Sequence, residues 1–515
     1  MAEPATMHSI SVLFADGTQE GMKPPHDPPD YFGDLAIDQI IEAVTAGFAD
    51  YDLKPLFSII PHEHAVIDER QAMFRDVADP AIGAAIRKFA TSMRATRERS
   101  TFAQKSYYPH QAAARLVEAI DQYGDGLAAL VEDLGAATIG SSWLSVFRDA
   151  VQSHIAGPGF VAMREEVAGL RAALAAIRYT VLIRDNNVTV RGFEDEPDYN
   201  AIITALFQKF QQGSGKPHEL EIDRSPVMNQ VAGEILHGVA KLNADVFARL
   251  DAFVIRYRTF IDPVIARFDR EIHFYVAWLG FTDRMAKAGL AFCYPVLADD
   301  HNIRVESGFD LALAHKLLGE HRIVVVNDFH LDGVERILVV TGPNQGGKTT
   351  FARTFGQMHY FANLGCTVPG TAARLHMFDR MFTHFEREEA LTTLRGKLHD
   401  DLVRVHALLD AATADSIIIM NEIFNSTALR DASFLAQAVL RRIIARGAIA
   451  VCVTFMDELA SLGPETVSLT SMVLPDDPAE RSFKIVRRRA DGLAYALSIA
   501  EKHRVTYQRL KERLQ

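Results

Sequence analysis

The sequence predicts a multidomain protein in which a helical region with a small strand-containing insertion precedes an α/β domain. Three observations support this fold class. The chain has 515 residues, which at roughly 150 residues per domain corresponds to about three domains. Apolar stripes at helical spacing run through residues 65–300. From about residue 304, short β-branched runs alternate with helical stretches, as in a parallel sheet covered on both faces.

The helical region is predicted from two long stripes and the segment between them. Phe160–Arg178 carries apolar residues at steps of four and three, the pattern of a packed helix. A second stripe begins at Val246 and resumes after Pro263, which predicts a kink or break. Between the stripes, Tyr179–Arg191 alternates like a β-hairpin, and Gly213–Pro217 reads as an exposed loop. Together they predict an extended helical arm with a small module at its tip.

The α/β domain is predicted from apolar, β-branched runs separated by helical stretches. The four expected strands are Arg322–Asn327, Arg336–Thr341, Ser416–Met420 and Ala448–Thr454. Nearer the amino terminus, the proline-rich run Lys23–Asp30 excludes a helix, and a short helix is expected over Leu35–Phe48.

Composition limits the possible functions. With 66 acidic and 54 basic residues, the formal net charge is −12, which argues against a protein that coats nucleic acid by bulk charge but allows a local basic patch. Cys293, Cys366 and Cys452 are too scattered for a disulfide framework. No apolar run reaches the roughly 18–20 residues of a membrane helix, and the amino terminus lacks a secretory pattern. We therefore expect a cytoplasmic protein with no membrane partner.

A glycine-rich loop follows the strand Arg336–Thr341 and precedes a helical stretch. Residues 341–350 read TGPNQGGKTT and satisfy the phosphate-binding pattern G-x-x-x-x-G-K-[ST]. Backbone N–H groups of such a loop wrap phosphates, Lys348 would reach the β- and γ-phosphates, and Thr349 would ligate Mg²⁺. The sequence therefore predicts an ATP and Mg²⁺ site whose binding residues are Gly342, Pro343, Asn344, Gln345, Gly346, Gly347, Lys348, Thr349 and Thr350.

A second strand, Ser416–Met420, ends in Asn421 and Glu422. Polar residues at this place usually hold the metal and activate the attacking water. Asn421 is neutral and a weaker magnesium ligand than aspartate, whereas the Glu422 carboxylate can act as a general base. We predict Glu422 and Lys348 as catalytic residues, and Thr349, Asn421 and Glu422 as metal ligands.

These motifs resemble those of the MutS family of DNA mismatch repair ATPases. The loop GPNQGGKT is similar to that family's GPNMGGKS, and NEIFNSTALRDA, from Asn421, is similar to DEIGRGTSTxDG. Cys366–Gly370, Thr454–Leu459 and Asp68–Val77 also resemble family segments. The resemblance implies an all-α core with long lever helices and a small clamp insertion, followed by an ABC-like P-loop ATPase domain. It implies an N-terminal segment 1–60, core and ascending lever 61–180, clamp-like insertion 181–240, descending lever 241–300 and ATPase domain 301–515.

The resemblance also implies a homodimer with composite nucleotide sites. The resemblance makes Asn344 a third catalytic residue, which places the attacking water. It puts the signature loop, which reaches the partner's nucleotide, at Arg395–Lys397, where Gly396 replaces a serine. Phe455 replaces a switch histidine, and Val324 and Val325 stand where an aromatic residue usually stacks on adenine. Of these departures, Asn421 and Phe455 weaken catalysis rather than binding, and they predict slow hydrolysis. About 60 residues precede the family-like core, so the resemblance implies a short member without the mismatch-recognition domain.

Three basic regions are candidates for DNA contact. The first is a cluster on one predicted helix, comprising Arg87, Lys88, Arg94, Arg97, Arg99 and Lys105. The second is the arm-tip insertion, which carries Arg184, Arg191, Lys209 and Lys216 but also Glu194, Asp195, Glu196 and Asp198. The third is the run Arg487–Arg489, for which a structural or interface role is favoured. His62 and His64 show no metal-ligand spacing and are expected to be surface residues.

The resulting hypothesis is an ATP-dependent DNA-binding protein in which slow ATP hydrolysis at a dimer interface switches a DNA clamp on mismatched or branched DNA. A repair or recombination protein would be a further partner. The alternative is a nucleotide-gated scaffold that binds a protein partner and little or no DNA, which the mixed charge of the insertion and the net acidity keep open. A generic ABC or SMC-type ATPase is disfavoured because no LSGGQ-like signature is present.

Overall fold

The fold is multidomain and mixes helices with sheets. The computed structural model describes residues 10–15, 29–184, 187–194, 228–386, 396–473 and 481–489, with Thr506 and Lys511. The chain divides into two compact units: residues 1–79, 139–145 and 270–515 form an α/β unit, and residues 80–138 and 146–269 form a helical unit. The five segment boundaries given above stay predictions.

The helices, numbered in chain order over the described residues, are α1 Tyr31–Asp34, α2 Ile37–Thr45, α3 His64–Ala78, α4 Pro80–Lys105, α5 Pro109–Gly135, α6 Ser142–Ala156, α7 Pro158–Ala175, α8 Gln230–Leu242, α9 Ala244–Tyr257, α10 Pro263–Ala286, α11 Leu311–Gly319, α12 Lys348–Asn363, α13 Lys397–Ala411 and α14 Leu429–Arg446. Short 3₁₀ turns span Ala49–Tyr51, Lys54–Ser58 and Asp457–Ser461.

The strands are β1 Tyr179–Arg184, β2 Asn187–Gly192, β3 Phe292–Cys293, β4 Val296–Ala298, β5 Ile303–Gly308, β6 Asn327–Leu331, β7 Ile337–Thr341, β8 Val368–Pro369, β9 Ala372–His376, β10 Met381–His384, β11 Ile417–Asn421, β12 Ile449–Val453, β13 Thr466–Val473 and β14 Arg481–Arg487. In the described chain no helix is long and apolar enough to cross a membrane.

The helical unit confirms the expected helix, break and hairpin. The helix predicted over Phe160–Arg178 is α7, and the chain leaves helical geometry between α9 and Pro263, which begins α10. Proline fits there because the N–H groups of the first helical turn have no acceptor within the helix, so the N–H that proline lacks is not needed. Strands β1 and β2 pair antiparallel, and α5, α7, α8 and α9 bury a shared apolar cluster. The predicted loop 213–217 lies outside the described residues.

The α/β unit is built on a six-stranded sheet in the order β10–β11–β12–β7–β13–β14. All neighbours are parallel except the last pair. Alternate residues of β11 face opposite sides: Ile418 packs in the cluster formed with α13 and α14, while Ile419 lies beside Gly356 of α12. Helices therefore cover both faces, as predicted for near-continuous apolar strands. A second sheet has the order β4–β9–β5–β6, and β3 pairs with β8.

One predicted strand is wrong. The run Arg322–Asn327 is irregular over residues 322–326, and β6 starts only at Asn327. The β-branched residues of this run line a cavity instead of pairing in a ladder. The runs at 336–341, 416–420 and 448–454 are confirmed as β7, β11 and β12.

The amino-terminal residues are anchored within the α/β unit. Ser11 donates from its hydroxyl to Glu271, and the buried Arg70 guanidinium donates to the carbonyls of Leu13 and Leu364. Gln357 in the middle of α12 donates to the carbonyl of Leu35 at 2.8 Å, next to α2. The expected helix at 35–48 is confirmed as α2, and this segment is part of the same packing that supports α12.

Candidate functional site

The glycine-rich loop lies between the fully buried strand β7 and helix α12. Gly342 and Gly347 have φ values of 113° and 89°, in the region that favours glycine. A Cβ atom at Gly342 would lie 2.9 Å from the carbonyl oxygen of Ser471, and one at Gly346 would lie 2.2 Å from the Ser471 hydroxyl. The loop is therefore pressed against β13, whose Thr470 pairs with Thr341 of β7. The Ser471 hydroxyl donates to the carbonyl of Gly346 at 2.6 Å.

Lys348 turns its ammonium back into the loop. Its Nζ donates to the carbonyls of Gly342 at 2.9 Å and Pro343 at 3.0 Å, and to the Asn344 side-chain oxygen at 3.3 Å. The residue is 5% exposed. Burial lowers the pKa of the Lys348 ammonium, and the Glu422 carboxylate opposes that shift. The Lys348 ammonium is thus held at the centre of the loop, where it could bind an anion.

The carboxyl end of β11 meets the start of α12. Thr349 donates from its hydroxyl to the Asn421 side-chain oxygen at 3.0 Å. Glu422 has a φ of 55°, and its N–H donates to the carbonyl of Val453 at 2.9 Å, which fixes the turn after the strand. Asn425 donates to the Glu422 carboxylate at 3.1 Å. The structure thus brings together the metal ligands that the sequence predicted from positions 72 residues apart.

A cavity of about 450 Å³ opens over this loop. Seven predicted site residues line it: Asn344, Gln345, Gly347, Lys348, Thr349, Thr350 and Glu422. The remaining four, Gly342, Pro343, Gly346 and Asn421, do not line it and lie behind these residues in the loop and at the strand end. The polar wall is therefore formed by the loop, α12 and the end of β11.

The rest of the cavity lining is mainly apolar. It is formed by α11, the irregular segment before β6, and β14, with the lining residues Phe309, Leu313, Leu317, Arg322, Ile323, Val324, Val325 and Phe483. Val324 and Val325 therefore line the cavity, and their place beside an adenine stays a prediction. Phe483, 47% exposed with a φ of 56°, supplies an aromatic ring that the sequence reasoning missed. Asn327 fixes β14 here, because its side-chain oxygen accepts from the N–H of Ile485 at 2.8 Å.

The predicted signature loop and Phe455, which replaces a switch histidine, are described only in part. Gly396 caps the start of α13, Lys397 pairs with Glu386, and Arg395 lies outside the described residues. Phe455 follows β12 and is 49% exposed. Gly396, Lys397 and Phe455 do not line the cavity.

The basic cluster on α4 is reduced by pairing. Lys88 pairs with Asp133 at 2.8 Å, and Arg97 pairs with the buried Asp269. The exposed Arg87, Arg94 and Lys105 lie at spacings of 7 and 11 residues, which puts them on one face of the helix. Glu98 is exposed on that face too. The cluster is therefore a narrow stripe with one opposing charge.

The other basic regions are only partly described. Arg184 and Arg191 are exposed on the β1–β2 hairpin, as is Glu194, while Lys209, Lys216, Asp195, Glu196 and Asp198 lie outside the described residues. In the run 487–489, Arg487 pairs with Glu335, and all three arginines line a shallow depression beside β13.

The histidines near the start of α3 behave as surface groups. His62 is exposed, and His64 pairs with the exposed Asp299 at 2.6 Å. Neither belongs to a group of three metal-ligand side chains among the residues that the structure describes.

Comparison with known proteins identifies the family model that covers the glycine-rich loop. Residues 338–507 match the family model MutS domain V. The chain is 30% identical over 183 residues to the DNA mismatch repair protein MutS of Granulibacter bethesdensis, which is 35% of this chain and 20% of that protein. It is 29% identical over 216 residues to MutS of Chlorobium phaeovibrioides, which is 41% of this chain and 24% of that protein. It is 33% identical over 152 residues to MutS of Listeria welshimeri, which is 30% of this chain and 17% of that protein. The matches thus span about a quarter or less of each relative's length.

The contact between Gly346 and Ser471 gives a stability prediction. Gly346→Ala puts a methyl group against the Ser471 hydroxyl, so the loop or β13 must shift. We expect the melting temperature to fall by at least about 2 °C, as for overpacking of a buried site. Adding Ser471→Ala should recover part of this loss because the hydroxyl is removed. Gly319→Ala, where a Cβ meets no atom within 4 Å, is the matched control. Wild-type melting of Gly346→Ala would show that the loop is not held as described.

Proposed function

This chain is a MutS-like protein, and on that premise we propose that it is an ATPase that binds ATP with Mg²⁺ in the cavity over the glycine-rich loop. The observation that carries the proposal is that Lys348, Thr349 and Glu422 line one cavity, and that Asn421, just outside the lining, accepts a hydrogen bond from Thr349. A P-loop of this kind offers backbone N–H groups and a helix amino terminus to phosphates. The apolar part of the cavity lining is suited to a base.

The residues present fit a magnesium ion. The Thr349 hydroxyl and the Asn421 amide oxygen are 3.0 Å apart, and Glu422 adds a carboxylate beside them. Oxygen donors are what Mg²⁺ prefers, and Mg²⁺ often keeps several waters and few protein ligands. When bound, it neutralises phosphate charge. Asn421 has no negative charge to offer, so we propose weaker metal binding than an aspartate would give.

In the proposed mechanism, each reactive group of the chain has one task. Lys348 holds the terminal phosphates with the ammonium that now contacts the loop carbonyls. Glu422 accepts the proton of the attacking water, with its carboxylate oriented by Asn425. Asn344 positions that water. Val324 and Val325 have no aromatic ring, so Phe483 provides the aromatic face on which the base stacks.

We propose that hydrolysis is slow and that ATP acts mainly as a switch at a homodimer interface. Phe434 and Leu429 on α14 are 72% and 60% exposed, and Phe455 is 49% exposed. The segments that carry them are joined, because Ser433 of α14 donates to Glu458 at 2.7 Å. This apolar surface, together with Gly396 and Lys397 at the start of α13, is the proposed contact with a second copy.

The proposed task of the switch is to control DNA binding by the helical unit and its hairpin, on mismatched or branched DNA. The stripe Arg87, Arg94 and Lys105 is the proposed phosphate contact. The alternative is a nucleotide-gated scaffold for a protein partner. It is favoured because Lys88 and Arg97 each pair with an aspartate and because Glu98 lies within the stripe.

Turnover measurements test the ATPase proposal. Glu422→Gln should lower ATP turnover by about a hundredfold or more while ATP affinity is kept, because the general base is lost. Asn421→Asp should raise turnover and lower the Mg²⁺ concentration required, because the ligand becomes charged. Glu132→Gln, an exposed change in the helical unit, is the control. Fast wild-type turnover, or a Glu422→Gln variant as active as wild type, would contradict the proposal.

A salt series tests the DNA proposal. Homoduplex, mismatched and branched DNA are titrated with the protein, with and without ATP. Replacing Arg87, Arg94 and Lys105 by glutamine should flatten the slope of log affinity against log salt by about 2 to 3, since about 0.9 is lost per phosphate contact. Lys88→Gln should change it little because Asp133 already pairs with that ammonium. No DNA binding at low salt would favour the scaffold instead.

A further inference from the structure

Three side chains that could bind a metal ion meet at the amino end of β11, two from loops and one from the end of a strand. His301 lies between β4 and β5, His376 ends β9, and Asp415 precedes β11. One ligand atom from each lies within 4.8 Å of the other two. Asn421 is the last residue of that strand and Glu422 follows it, so this cluster lies at the other end of β11 from the cavity over the glycine-rich loop.

His376 is arranged as a neutral ligand. Its side chain is 1% exposed, and its Nδ1 is 3.2 Å from the backbone carbonyl of Asp300. A carbonyl only accepts, so Nδ1 carries the proton and Nε2 keeps a lone pair. Within the described structure that buried Nε2 has no hydrogen-bond partner, and it lies 3.9 Å from the Asp415 carboxylate. A buried polar atom without a hydrogen-bond partner is costly and calls for a ligand.

His301 repeats this arrangement with its other nitrogen. Its Nε2 is 3.1 Å from the carbonyl of Ala414, so Nε2 donates and Nδ1 keeps the lone pair. The two imidazole rings have centroids 4.7 Å apart and are inclined by 32°. Histidines that bind metals usually donate their outer N–H to a carbonyl or carboxylate, which fixes the tautomer and ring orientation.

The surrounding charges also suit a cation. Asp415 is 60% exposed in its side chain and can rotate towards the histidines. Arg374 lies on the same strand as His376, but its guanidinium pairs with Asp300 at 2.6 Å, so its charge is compensated. The cluster therefore has one carboxylate, and the charge of the arginine on the strand of His376 is compensated.

We propose that His301, His376 and Asp415 bind one Zn²⁺ ion through two imidazole nitrogens and one carboxylate oxygen, with a fourth position open to water. Two histidines with one carboxylate is a ligand set that zinc uses, at about 2.0–2.2 Å from each atom. The ligand atoms need to close in by about 1 Å for this geometry. The ion would fasten the loops before β5 and β11 to the end of β9.

Metal titration of the full chain tests the site. Protein stripped of metal with a chelator is titrated with Zn²⁺ by calorimetry, and with Co²⁺ by visible absorption as a probe of tetrahedral coordination. One ion per chain is expected, with a tetrahedral Co²⁺ spectrum that lacks a thiolate charge-transfer band. Asp415→Asn and His301→Ala should each weaken Zn²⁺ binding by at least about tenfold. Zn²⁺ should raise the melting temperature of wild type and not that of Asp415→Asn.

A matched control separates this site from adventitious binding. His64→Ala removes a histidine that also pairs with an aspartate but has no third ligand, so it should bind Zn²⁺ as wild type does. Asp415→Asn alters an exposed side chain, so its folding can be confirmed by an unchanged metal-free melting curve. Binding that is equal in wild type, Asp415→Asn and His301→Ala, or an octahedral Co²⁺ spectrum, would overturn the proposal.

Discussion

The hydrogen bonds of the Lys348 ammonium to its own loop are the interaction on which the rest of the candidate site depends. Three oxygens of residues 342–344 surround a cation that is nearly removed from solvent. A buried ammonium without such partners would be costly, so the loop must curve around it. That curvature requires left-handed backbone at Gly342 and Gly347, and it presses the loop against Ser471. The loop, the lysine and strand β13 therefore form one constrained unit.

The sheet supplies the other half of the site. Because β7, β11, β12 and β13 are parallel neighbours, their carboxyl ends lie along one edge. The loop after β7, the Asn421–Glu422 pair after β11 and Ser471 of β13 all lie at this edge. Ligands of open α/β sheets bind at such an edge. The proposed zinc site lies at the opposite end of β11, so loading it and loading the cavity can be measured independently.

The sequence predicted what depends on local pattern and missed what depends on tertiary pairing. The glycine-rich loop and strands β7, β11 and β12 could be predicted because strand, loop and helix are contiguous. The run Arg322–Asn327 has the same β-branched composition as a strand, but it lines the cavity, which composition cannot reveal. Phe483 was missed because it lies on the antiparallel edge strand β14, more than 100 residues after the glycine-rich loop whose cavity it lines. The pairing of Arg97 with Asp269, 172 residues away, removed part of the expected basic surface in the same way.

The most direct test of this account is the ATP affinity of the full chain with Mg²⁺, measured by calorimetry for wild type and for Lys348→Ala. One ATP should bind per wild-type chain, and Lys348→Ala should lower the affinity by about tenfold to a hundredfold, the usual contribution of a hydrogen bond to a charged group. The same change at the exposed Lys316 on α11 should leave the affinity unchanged. A wild-type chain that binds no ATP, or a Lys348→Ala variant that binds it equally well, would contradict the account.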